Sequence, residues 1–137
     1  MRVVKYAFVV SAFLFIYVLT IIPARDGPPV SWPFELAITI VALACIVVGF
    51  LVPRFVFRAA ESAYQGNPAL TPLKRWMTKG IMSLAYFEAC ILFGLALHFL
   101  KGSLRLVELL FAAGIAAELF WSPGEPPSAG SGEFPQS

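Results

Sequence analysis

The sequence predicts an all-α fold: a four-helix transmembrane bundle over residues 1–121, followed by a disordered tail over 122–137. Three observations carry this. Of 137 residues, 59% are hydrophobic and 13% charged, too apolar for the core and polar shell of a soluble domain of this size. The charges gather between four long apolar stretches rather than alternating with them. The breaks between stretches hold proline, glycine or basic clusters. Lipid is then the solvent for most of the surface, and a helix, which pairs its own backbone groups, is an element that can sit there.

The first span is placed at 6–22. Arg2 and Lys5 precede a seventeen-residue run without a charge, longer than the ~7–15-residue apolar core of a signal peptide, so an uncleaved helix is expected. Pro23 to Pro33 holds four prolines and Gly27, which stop a helix, and Trp32 is expected at the membrane interface. The second span, 34–52, is apolar apart from Glu35 and Thr39. Glu35 falls in the first turn, where the helix dipole favours an acid, and is expected to be interfacial. Pro53 marks the exit, with continuation through Arg58 and Ala63 left open. The connection 54–79 carries Arg54, Arg58, Lys74, Arg75 and Lys79, a Gly66-Asn67-Pro68 turn signal and a Thr71-Pro72 helix start. The third span, 80–100, lies in an apolar run that begins at Met77. Lys101-Gly102-Ser103 is a tight turn into the fourth span, 104–121. From Ser122 onward proline, glycine and serine leave almost nothing to bury, which predicts disorder.

Seven Lys and Arg fall on the side of the termini and the 54–79 connection, and three (Arg25, Lys101 and Arg105) on the other. The positive-inside rule then expects both termini in the cytoplasm, with the chain multi-pass in the inner (plasma) membrane. A net charge of +2 gives no case for nucleic acid. Cys45 and Cys90 lie in apolar runs without CxxC spacing and read as small apolar fillers.

The tight turn permits an argument about depth. In an antiparallel hairpin about Gly102-Ser103, residues whose numbers sum to about 206 share a level, so Glu88 lies level with Glu118 and His98 with Glu108. At a rise of 1.5 Å per residue, the first layer is roughly 18–21 Å below the turn and the second roughly 6–9 Å below it. Glu88 and Glu118 are the proton- or ion-handling candidates, since intramembrane acids are functional candidates by default. The alternative for Glu88 is a protonated structural acid bonded to Ser83, Tyr86 or a backbone carbonyl on another helix. For Glu118, three residues from Trp121, a water-facing carboxylate at the membrane boundary is expected in place of a proton-sharing pair. His98 and Glu108 form a secondary polar pair. Ala112/Ala116 and Ala113/Ala117 are small-xxx-small pairs, and Gly114 also admits a close neighbour. A single histidine and scattered acids make no metal site, no cofactor motif is present, and no nucleophile–base constellation or P-loop occurs. The sequence therefore points away from an enzyme.

Asn67-Pro68-Ala69-Leu70, followed after a basic linker by Leu84-Ala85-Tyr86-Phe87-Glu88-Ala89-Cys90-Ile91-Leu92-Phe93-Gly94-Leu95, resembles the second half of the rotary ATP synthase c subunit. The resemblance implies Glu88 as a proton carrier, Asn67-Pro68 as the polar loop and, with Ala89 after the acid, protons rather than sodium. The chain departs from that family in having Gly49 as the one glycine of its second span, Gly66 before Asn-Pro in place of an arginine, and two extra spans. As a whole it is more similar to small four-span bacterial membrane proteins of unknown function. Three functions follow as expectations: a non-enzymatic structural or accessory subunit packing with itself or a larger membrane complex, a proton-handling protein using Glu88, and a small exporter. The lipid bilayer is the partner common to all three.

Overall fold

The structure is a computed structural model that describes residues 2–24, 26–63 and 72–125, with the side chains of 56–63 and 72–73 excepted. Arg25, the Asn67-Pro68 loop and the tail from 126 onward lie outside the described residues. Four helices make up the fold: α1 (Arg2–Ile21), α2 (Trp32–Ala63), α3 (Pro72–Phe99) and α4 (Leu104–Phe120). α1, the Trp32–Phe55 part of α2 and the Lys74–Phe99 part of α3 are long and apolar enough to cross a membrane. α4 has 17 residues, about 25 Å of rise, at the lower limit for a span.

The helices run longer than the apolar stretches. Pro53 lies inside α2, which continues to Ala63, the continuation that the sequence left open, while the part apolar enough to span ends at Phe55. Proline removes the bond to the carbonyl four residues back, at Gly49, and its ring crowds that carbonyl. α2 begins where the backbone N–H groups of Phe34 and Glu35 both bond to Ser31 O. α3 begins at Pro72, where a missing N–H costs nothing.

α3 and α4 form an antiparallel hairpin at the centre. α1 and α2 each pack on both hairpin helices but, among the described residues, not on each other. The result is three layers, α1 and α2 flanking the α3/α4 hairpin. The hairpin turn is closed as a helix C-terminus requires: Gly102 N bonds Leu97 O and Lys101 N bonds His98 O, with Lys101 in the left-handed region at φ 57°. This is the paired 6→1 and 5→2 pattern that satisfies the last carbonyls of a helix.

Gly114 marks a close approach of α3 and α4. A Cβ at Gly114 would collide with the Ile91 side chain and lie 3.2 Å from Phe87 O. On the opposite face a Cβ at Gly49 would lie 2.6 Å from the Phe87 ring, so Phe87 packs between α2 and α4. Leu84, Phe87, Ile91 and Leu110 are fully buried along the hairpin, and Leu97 is fully buried beside Gly102 at its turn. α1 contributes a single buried residue, Ala12.

Candidate functional site: a carboxyl pair under α1

The hairpin brings together the deeper of the two expected layers. The Glu88 and Glu118 side chains lie as electrostatic neighbours. Glu118 is 0% exposed, so the expected water-facing carboxylate is corrected: the side chain is buried within the bundle. α1 also supplies the third member, because Ser11 Oγ donates to Glu88 Oε1 at 2.5 Å. Ser83, Tyr86 or a backbone carbonyl is the partner expected for a structural Glu88; the hydroxyl that bonds it comes instead from α1, and the buried Ser83 Oγ has no hydrogen-bond partner among the described residues.

Beyond the Ser11 bond the cluster is unsatisfied. Glu88 Oε2 and both Glu118 oxygens are buried without a hydrogen-bond partner among the described residues. Two carboxylates offer acceptors only, whereas a proton on either one makes it a donor to the other. Unpaired polar groups in an apolar interior are costly, so the arrangement is chemically suited to taking up a proton. Among the described residues no group of three or more His, Cys, Asp or Glu could hold a metal ion.

The shallower layer does not assemble. His98 Nε2 is buried without a partner, the ring lies edge-on to Phe99, and Glu108 is exposed. The expected His98–Glu108 pair is therefore level in depth but unjoined.

Two polar contacts that sequence reasoning missed hold the ends of the bundle. At the turn end, Glu35 is only 8% exposed and its Oε1 accepts from the Ser103 backbone N–H, so it caps the start of α4 and is not simply interfacial. Lys101 Nζ reaches Gly27 O at 2.8 Å there. At the other end Lys5 Nζ donates to Leu119 O at 2.7 Å and to Trp121 O at 2.8 Å, placing a cation on the negative end of α4. Trp76 Nε1 donates to Pro123 O at 3.0 Å, so residues 122–125, part of the expected disordered tail, are tied to α3. Lys5 and Ser11 sit six residues apart on α1; a lysine before an apolar run and a single early hydroxyl were the available signals, but nothing in the sequence said that α1 lies over α4.

The chain matches no protein family, no curated protein and no solved structure.

Proposed function

We propose that this small integral membrane protein is a proton-handling protein or subunit, in which Glu88 and Glu118, with Ser11, bind one exchangeable proton inside the bundle. The observation that carries the reading is that two neighbouring buried acids, one bonded to Ser11 of α1, hold three carboxyl oxygens without a hydrogen-bond partner among the described residues. A purely structural acid is expected to have its lone pairs satisfied, because pairing is what makes a polar residue hold membrane helices together. Here the protein supplies one hydroxyl for four oxygens, and a proton is the smallest addition that pairs two of the rest. No covalent step is part of the reading. The excess of lysine and arginine at the end that carries α1's start and α4's finish supports a cytoplasmic placement of both termini in an inner membrane.

Infrared spectroscopy of the protein in lipid vesicles tests it. The expected result is a carboxylic-acid carbonyl band that moves in deuterium oxide and is lost in both Glu88→Gln and Glu118→Gln while far-ultraviolet circular dichroism is unchanged. A folded wild-type protein without such a band overturns the proposal.

A second reading, a structural or accessory subunit, is favoured by the outer face of α1. Tyr6, Val10, Phe13 and Tyr17 form one exposed stripe at helical spacing, a surface that a second copy or another membrane helix would cover. Crosslinking from Phe13→Cys in native membranes decides it: a defined adduct supports an assembled subunit, and none supports a lone protein in lipid.

A further inference from the structure

The end of the bundle away from the hairpin turn holds a cavity of ≈ 800 Å³ whose walls include Arg2, Lys5 and Tyr6 of α1, Trp76 of α3, and Trp121 and Glu125 after α4. Its size falls within the usual range for small-molecule sites, about 300–1,000 Å³. Its walls are fixed by the two Lys5 bonds to α4 carbonyls and by the Trp76–Pro123 bond. The Lys5 ammonium neutralises the negative end of α4 and has three donors, of which these carbonyls take two. Arg2, Lys5, Arg54, Lys74, Arg75 and Lys79 gather at this end, with Lys74, Arg75 and Lys79 each already engaged in an interaction of its own. Indole and phenol rings settle at headgroup depth in a bilayer. The apolar side of α1, with Val3 and Tyr6 exposed, leads from the cavity along the bundle wall.

We infer that this cavity binds the headgroup of an anionic phospholipid, its phosphate between Arg2 and Lys5, its glycerol edge against Trp76 and Trp121, and its acyl chains along the exposed face of α1. A basic pocket between helix ends, set at headgroup level beside an apolar wall, has the chemistry of an anionic-lipid site. A soluble phosphate would use the charges and leave the aromatic and apolar walls unused. The site is independent of the proton reading, because none of Ser11, Glu88 or Glu118 lines it.

The test uses the full chain in a neutral detergent, with Trp32→Phe to remove the indole outside the cavity, and follows tryptophan emission. Titration with phosphatidylglycerol is expected to give a saturable change, with no saturable change from phosphatidylcholine or inorganic phosphate. Arg2 is exposed, so Arg2→Gln leaves the fold intact and is expected to weaken phosphatidylglycerol binding about fivefold, the effect of one basic residue near an anionic surface. An equal response to phosphatidylcholine, an equal response to inorganic phosphate, no response to any of the three, or an unchanged affinity in Arg2→Gln each overturns the inference.

Discussion

Glu88 and Glu118 can be told apart from ordinary helix glue by removing them singly and together. Methionine is a suitable replacement: it is unbranched, fills roughly the same space and has no strong polar group. Glu118→Met takes away the group that would share a proton with Glu88, whose buried Oε2 has no hydrogen-bond partner among the described residues, and an unpaired buried polar group costs about 1–3 kcal/mol. Glu88→Met does the same to Glu118, which has no hydrogen-bond partner at either oxygen among the described residues, while the freed Ser11 hydroxyl can turn back to a carbonyl of its own helix. The double variant removes both halves of the problem. It should recover the parent's stability to within about 1 kcal/mol, because replacing both partners by apolar groups of similar shape is nearly neutral or stabilising. The cycle should therefore show a coupling in the upper half of the ~0.5–3 kcal/mol expected for touching residues.

Equilibrium unfolding in mixed micelles, followed by circular dichroism, measures all four proteins under one condition. Additivity within about 0.5 kcal/mol would show that the two carboxyls do not share a proton and would refute the reasoning. A double variant less stable than the sum of the singles would point the other way, to an acid pair whose main task is holding α1 onto the hairpin.

Three further outcomes follow from the packing. Gly114→Val drives a branched side chain into Ile91 and towards the Phe87 carbonyl; overpacking of this kind costs about 1–3 kcal/mol, seen as a lower midpoint in the same unfolding assay, whereas Ala112→Val, at an exposed position, should change little. Glu35→Ala removes the acceptor for the Ser103 N–H and should cost about 1.5–3 kcal/mol as a charged hydrogen bond, with Glu35→Gln keeping part of it; equal midpoints for all three proteins would show that the cap contributes nothing. Lys5→Met removes both bonds to the end of α4 and should speed hydrogen exchange in the last turn of α4 and at Trp121, read by mass spectrometry, while the hairpin turn is unaffected.

The helical class and the hairpin were legible because each rests on a local signal. Long uncharged stretches ask for helices in lipid, and Lys101-Gly102-Ser103 leaves room for nothing but an antiparallel return. Depth followed from the same turn, which is why the sequence alone places Glu88 and Glu118 level. The position of α1 was not legible. It depends on two long connections, one of which centres on the 64–71 region outside the described residues, and on small residues such as Ala12 that carry no signature of what they touch. Ser11 as the partner of Glu88 and Lys5 as the cap of α4 were lost for that single reason.

The unjoined His98–Glu108 layer, by contrast, was within reach of the sequence. From Glu88 to His98 is ten residues, which at 3.6 residues per turn leaves a net rotation of about 80°. From Glu118 back to Glu108 is also ten residues, and a right-handed helix turns in the same sense whichever way it is followed. If both side chains of the deep layer face a common neighbour in front of the hairpin, both side chains of the shallow layer have swung sideways in the same direction. One then points across at the other helix and the other points out of the bundle. The buried Nε2 of His98 and the exposed Glu108 are those two cases. Two polar layers at matched depths in one hairpin can therefore both close onto the same face only when their spacing is close to a whole number of turns, and ten residues is not.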